Sequence, residues 1–450
     1  MKPFKASNRN QPFLLPPSIQ EWLPKNHLAR YIVDTVEQLD LSKINDQYTR
    51  GGKEAYDPRV MLSLLFYGYA TGIFSSRKIE RATYDSIAFR YISANTHPDH
   101  DTIATFRKRF LKELSELFVQ ILSIAQEMGV LKVGKVSLDG TKVKANASKH
   151  KALSYAHANK LQKQLEDEVQ TLLEKAKTAD NKDDNDGMNI PDEIARREDR
   201  LEVIKAAKLK IEKRANERHK QELQEYEEKI KKREAKEKLT GKKTSGKKPQ
   251  PPKSKEPNPK DQVNLTDEES HIMPISGGGY MQAYNAQASV EHDSRLIVHQ
   301  HVTQNVNDKK EMIPTLKWFK DNPTLMPDSM LADAGYFSDT NVKLCEDEKI
   351  TPYISFGKEQ HNQPLEDRFT QPQALPEDAT DIEKMKHRLQ TKEGKEIYAL
   401  RKSMVEPVFG IMKHVMGFRQ FMLRGFEKAQ GEWNLMCIAY NLKRLHTITA

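Results

Sequence analysis

Cysteine is almost absent from these 450 residues: only Cys345 and Cys437 occur, far apart and without a CxxC neighbour. That excludes a disulfide scaffold and a cysteine-rich zinc site, and it fits a reducing cytosol. No stretch reaches about 18 consecutive apolar residues, so no membrane span is expected. The opening segment, MKPFKASNRNQPFLLPPSIQEWLP, lacks an apolar core long enough for a signal peptide. Together these absences place the chain in the cytoplasm. Apolar residues are also scarce. They make up 37% of the chain, and the 20 glycines do not raise the total to the usual globular share of about 45–50%. Part of the chain must therefore be poor in core, while the remainder is long enough to bury a sizeable one.

What the chain has in excess is positive charge. The formal net charge is +9 and the pI is near 9.1. The excess is concentrated: residues 195–260 hold 23 Lys and Arg against 12 Asp and Glu, an excess of 11 that exceeds the whole chain's. A basic chain of this size suits a polyanionic partner, although a solvated charged surface would have the same composition.

The hydrophobic period divides the chain. Residues 1–132 read as an all-α domain. Leu28, Ile32, Val36 and Leu39 recur at helical spacing. Asp57 and Pro58 suit an N-cap followed by the first helical position. HDTIATFRKRFLKELSELFVQILSIAQEMG predicts one long helix, capped at Asp101 and ended by Gly129. Such short helices resemble a helix-turn-helix bundle, in which Arg107, Lys108 and Arg109 could touch phosphates. Residues 133–150 form a strand and a basic arm. Residues 151–239 carry Leu161, Leu165, Val169 and Leu172 and then a long charged run, the pattern of a helical hairpin or coiled coil. Residues 240–262 mix Gly, Ser, Pro and Lys and read as a basic flexible linker. From 263 onward the period changes to hairpin, helix, strand, helix, strand, helix. Joined to residues 133–150, this is an α/β domain with a mixed sheet, interrupted by the helical insertion.

Two acids end apolar strands: Asp139 in KVSLDG and Asp333 in SMLADAGYF. Each is followed by small residues that let a backbone approach closely. A third, Glu406, precedes Pro407 in RKSMVEPVFGIMK, where a helix is either starting or distorted. Carboxylates converging from distant positions could hold two Mg²⁺ ions for in-line phosphoryl transfer. Taken singly, each strand-end Asp is equally a turn former.

Taken together, several stretches resemble one family. They are YDPRVMLSLLFYGYATGIFSSRKIE, VSLDGTKVKANASKHKALSY, LTDEESHIM leading to GGGYMQAYNAQASVE, LADAGYFSD, VEPVFGIMKH and IAYNLKRL. In this order they are similar to a bacterial insertion-sequence transposase of the DDE type, over most of residues 20–445. The resemblance implies a ribonuclease-H-like catalytic domain and a metal-binding, catalytic triad of Asp139, Asp333 and Glu406, spaced by 194 and 73 residues. It implies Mg²⁺, with Mn²⁺ as a substitute, and DNA as partner, both transposon ends and target. It also implies a homo-oligomer on that DNA and a nucleoid-associated place in the cytoplasm.

Related transposases surround the glutamate with Tyr, Arg and Lys. Tyr398 and Lys413 match, and Lys413, seven residues after Glu406, falls on the same helix face. For the arginine, Arg401 fits the spacing from Tyr398 and Lys402 the spacing to Glu406, so both stay open as phosphate ligands. Lys142, Lys144, Lys149, His150 and Lys151 would track the DNA backbone. Tyr336, like Tyr398, could meet a base or sugar. The HPDHD run around His97, the His299–His301 pair and the Gly277–Gly279 run read as a loop, a strand pair and a turn; none of them reads as a metal or phosphate site. Trp433 reads as core. The alternatives to a transposase are a related nuclease or resolvase on the same fold, a catalytically decayed DNA-binding relic, and a coiled-coil scaffold built on residues 151–240.

Overall fold

The computed structural model describes residues 18–48, 54–179, 190–241, 244, 247–252, 254–275, 277–357, 372, 374–376 and 378–450. Most of the loop expected around residues 178–189 and parts of the basic linker lie outside the described residues. The chain forms two compact units. One comprises residues 1–145, 273–276 and 283–450, the other residues 146–272 and 277–282.

The first unit opens with seven helices: α1 (Leu28–Glu37), α2 (Ser42–Asn45), α3 (Pro58–Ala70), α4 (Ser76–Asp85), α5 (Ile87–Ile92), α6 (His100–Arg109) and α7 (Leu114–Glu127). α1 turns Ala29, Ile32 and Val36 inward, as its period requires. α3 begins at its sequence signal, with the Asp57 carboxylate accepting from Arg59 N at 2.8 Å, and it is buried from Met61 to Ala70. The single long helix expected from His100 to Gly129 is two. The chain turns at residues 110–113, where Leu111 packs so closely on Gly431 that a Cβ there would overlap it. The cap is Asp99, which accepts from Thr102 N at 2.7 Å, and not Asp101. Gly129 does end α7, at φ +71°, a conformation that costs glycine little. β1 (Lys135–Lys144) follows.

The second unit is a helical hairpin on a small base. β2 (Ala152–Ser154) leads into α8 (Tyr155–Ala179), and α9 (Ile190–Thr240) returns antiparallel to it. Pairs such as Glu168 with Arg197 and Gln162 with Lys208 fix that direction. Leu165, Ile204, Ala207 and Ile211 form the seam, with Leu161 packed at its edge. β3 (Gln262–Asn264) pairs with β2 and closes the base around Leu153 and Val263. β4 (His271–Pro274) carries the chain onward.

Back in the first unit, β5 (Tyr280–Glu291) and β6 (Ile297–Thr303) form an antiparallel hairpin, and β5 also pairs antiparallel with β1. α10 (Met312–Asp321), β7 (Ser329–Ala332), α11 (Asp339–Asp347) and β8 (Thr351–Ile354) follow. β7 runs parallel to β1, and β8 parallel to β7. The result is a six-stranded mixed sheet in the order β4, β5, β1, β7, β8, with β6 also pairing β5. Then come α12 (Asp381–Gln390), α13 (Lys392–Ala399), α14 (Arg401–Gly410) and the terminal helix α15 (Phe426–Thr449). α15 is buried along most of its length and packs against α3, α7 and β6. The N-terminal helices and the sheet therefore share one core.

Candidate active site

β1 and β7 are adjacent parallel strands whose register pairs Ser137 with Leu331. Asp139 lies two residues beyond that last pair on β1, and Asp333 directly follows the end of β7, close enough for its charge to act on Asp139. Parallel strands lie about 4.8 Å apart, so the two carboxylates are forced into one neighbourhood. Asp139 is mostly buried, and its Oδ1 accepts from Gly140 N at 2.7 Å. Burial pushes its pKa up to about 6, and the charge of Asp333 adds to that push, against the Gly140 amide and Arg401. Asp333 caps a short 3-10 turn, Ala334–Tyr336, by accepting from Gly335 N at 2.8 Å.

α14 supplies the other side. Arg401 is mostly buried; its Nη1 donates to Asp139 Oδ2 at 3.3 Å and its Nη2 stands 3.9 Å from Glu406 Oε1. Among the described residues its Nε is buried without a hydrogen-bond partner. Burial works against the guanidinium charge, but the groups around it, Tyr398, Asp139, Asp333 and Glu406, leave its pKa raised. Glu406 itself is exposed. Among the described residues no three Asp, Glu, His or Cys side chains converge closely enough to hold a metal ion as they stand; the Arg401 guanidinium lies between Asp139 and Glu406. The donors are nevertheless hard carboxylates, the chemistry a Mg²⁺ or Mn²⁺ ion prefers.

The helix expected through Lys413 is not continuous. It breaks at Leu400 between α13 and α14, contains Pro407, and widens beyond Gly410 into a π-helical turn, Ile411–Val415. Lys413 lies in this wider turn. Its Nζ donates to Thr141 Oγ1 and to Lys142 O on β1. Burial, with the charge of Lys142, lowers its pKa. Single-turn π segments recur at functional sites.

Two family comparisons bear on this geometry. Residues 17–109 match a transposase domain, DUF772, and residues 260–442 match a transposase DDE domain. The chain belongs to the insertion-sequence transposases of the DDE type. No curated protein and no solved structure matches it.

The remaining residues expected of the transposase fall in different places. Lys402 is exposed on α14, and Arg401, not Lys402, reaches the carboxylates. Tyr398 ends α13 partly exposed and close enough to Arg401 to act on its charge. Lys142 does not stand free for a backbone phosphate: it is mostly buried, 3.5 Å from Asp308, and burial lowers its pKa. Lys144 ends β1, tied through its backbone to Arg419 and Phe421, with its side chain partly exposed. The Lys149 side chain lies outside those described; His150 and Lys151 are exposed in the second unit.

Arg107 is a correction. It is buried inside the helical layer, where Nη1 donates to Tyr69 Oη at 3.1 Å and to Phe74 O at 2.8 Å. The same tyrosine donates to the fully buried Glu432 at 2.8 Å, so the arginine offsets a buried acid and offers nothing to a phosphate. Arg109 is exposed but engaged, donating to Gln47 O at 2.6 Å with its guanidinium over the Tyr48 and Phe110 rings; Lys108 is exposed. Tyr336 is also a correction, because it is fully buried, has no face for a base or sugar, and donates its hydroxyl to Gln287 Oε1. Trp433 is core, its indole donating to Gln287 O at 3.0 Å. Gln287, Asn285 and Asp308 were not singled out in the sequence. The signal that could have found them is YNAQAS, which places amides at alternate positions of a strand that must be buried.

Proposed function

We propose that this transposase binds the terminal repeats of its element and cleaves and rejoins DNA with divalent metal ions held by Asp139, Asp333 and Glu406, on a ribonuclease-H-like sheet. The observation that carries the reading is that Asp139, within β1, and Asp333, just past the end of the parallel neighbour β7, are close enough for the charge of one to act on the other, with Arg401 joining Asp139 to Glu406. When bound, Mg²⁺ supplies activation of water or a 3′-OH and neutralises charge at the attacked phosphate.

The chain's own residues do the rest. Asp139 and Asp333 offer oxygen ligands from the sheet and Glu406 from the helix. Arg401 has an unpartnered Nε, and a DNA phosphate oxygen would satisfy it while drawing the guanidinium off the carboxylates. Lys413, in the π turn that follows α14, ties that turn to β1 at Thr141 and Lys142. Joining two transposon ends requires more than one active site, so a homo-oligomer on DNA follows from the reaction.

The test is cleavage of DNA spanning the gene's own flanks, with Mg²⁺, by wild type and Asp333→Ala. Cuts at the repeat ends that vanish in the variant, leaving 3′-OH ends that join other DNA, establish the reading. Cuts without joining assign a nuclease or resolvase. Binding without cleavage in Mg²⁺ or Mn²⁺ assigns a decayed relic.

A further inference from the structure

The residue after Asp139 faces the opposite side of β1, and that side holds a buried polar network. Asn285 and Gln287 of β5 are fully buried, and the register sets them against Lys142 and Gly140. Asp308, ahead of α10, accepts from Asn285 Nδ2 at 2.6 Å and from Gln287 Nε2 at 2.7 Å. Gln287 Nε2 also donates to Asn285 Oδ1 at 3.0 Å. Gln287 Oε1 accepts the Tyr336 hydroxyl. Tyr336 closes the turn that Asp333 caps, its amide donating to Asp333 O at 3.2 Å, and Asn341 Nδ2 holds its carbonyl at 2.6 Å.

Buried amides are costly unless satisfied, and here every polar atom of the Gln287 side chain is used. Its orientation is also determined. A carboxylate can only accept, so Asp308 draws the NH₂ end of Gln287 to itself and leaves the carbonyl end for Tyr336. The side chain therefore spans from beside Gly140, one residue beyond Asp139, to the turn headed by Asp333. Two carboxylates of like charge on neighbouring strands repel, and a metal ion needs them at a fixed separation.

We infer that Gln287 is a positioning residue that holds the Asp333 turn at a set distance from Asp139, with Asp308 fixing the direction of its amide. The inference rests on the reading of Asp139 and Asp333 as metal ligands. It concerns how they are spaced, which that reading leaves open.

The test is Mn²⁺ titration of the metal-free, full-length protein, followed by electron paramagnetic resonance. The proteins are wild type, Asp139→Asn, Gln287→Met, Tyr336→Phe and Tyr440→Phe. Tyr440 is a control, a buried tyrosine donating to Arg295 O at 3.2 Å on another element. Gln287→Met and Tyr336→Phe should each raise the Mn²⁺ dissociation constant about tenfold or more, as loss of an outer hydrogen bond does at metal sites. Both should keep a cooperative melt. Both should also raise the ratio of Mn²⁺- to Mg²⁺-supported cleavage, because Mg²⁺ demands the more regular octahedron. Tyr440→Phe should bind Mn²⁺ as wild type does. Should Gln287→Met not fold, Tyr336→Phe decides, because it removes a single oxygen. Wild-type Mn²⁺ affinity in a folded Tyr336→Phe overturns the inference. Wild-type affinity in Asp139→Asn removes the metal-ligand reading itself, and the inference with it.

Discussion

Arg401 and Asp139, 262 residues apart in the chain, meet at 3.3 Å, and the same guanidinium stands 3.9 Å from Glu406. One cation thus contacts two of the three carboxylates assigned to metal. The contact also distinguishes two neighbours that spacing alone leaves equivalent. Replacing Arg401 by Gln should lower DNA cleavage by about 100-fold or more, the usual scale for losing one well-placed charged donor at a reacting phosphate. Replacing the exposed Lys402 by Gln should have a far smaller effect. Single-turnover cleavage of a pre-bound transposon end measures both, and equal losses would remove the distinction.

Asp139 sets a pH dependence in the metal-free protein. Burial pushes its carboxyl up to about 6 in the folded chain, from an ordinary value of 3.8. Between those values the folded state holds a proton that the unfolded state has released, so stability falls as pH rises through that window and is flat above it. The shift corresponds to roughly 3 kcal/mol at most, less whatever solvent reaches the group. Metal binding needs the deprotonated form and has the opposite sign, fading as pH falls below about 6. Urea melts of metal-free wild type and Asp139→Asn between pH 4 and 8 separate the two effects. The variant should lack the window.

Arg107 and Lys108 are adjacent, and their predicted fates differ. Arg107 lies in the layer that buries Glu432 and Tyr69. Arg107→Ala should cost about 3–5 kcal/mol of stability, because it leaves a buried acid uncompensated. Lys108→Ala, at an exposed position, should change stability by no more than about 0.5 kcal/mol. If α6 lies on DNA, it should also reduce the salt slope of binding by about one. Denaturant melts and DNA affinity at several salt concentrations check both variants.

Local rules made some of this legible. Asp57 and Pro58 start α3, Gly129 stops α7, and acids at the ends of apolar runs mark Asp139 and Asp333. These depend on residues a few positions apart. The misread features depend on residues hundreds of positions apart. At the break after α6 Leu111 meets Gly431, and the buried Arg107 is linked through Tyr69 to Glu432 on the last helix. Lys413, in the π turn, is held by Thr141 and Lys142 on β1. Gln287 stays hidden because a buried amide has meaning only through Asp308 and Tyr336, which the chain brings in later.

One glycine, Gly134, just precedes β1 and another, Gly140, lies within it, and their alanine variants should part company. A Cβ at Gly134 would meet only Asp328 Oδ2, at 3.8 Å, an ordinary contact. Gly134→Ala should therefore be neutral or stabilise by about 0.4–1 kcal/mol, through the unfolded chain's lost freedom. A Cβ at Gly140 would stand 2.7 Å from Asp308 Oδ1 and closer still to Gln287 Nε2. Both acceptor and donor are held by the hydrogen bonds that orient Gln287, so neither can retreat without breaking one. Gly140→Ala should cost about 1–3 kcal/mol, the usual penalty for overpacking, and should weaken Mn²⁺ binding along with it. Thermal melts with and without Mn²⁺ measure both quantities. A Gly140→Ala protein as stable as wild type, with undiminished stabilisation by Mn²⁺, would mean that the network behind β1 yields freely and does not hold Asp139 in place.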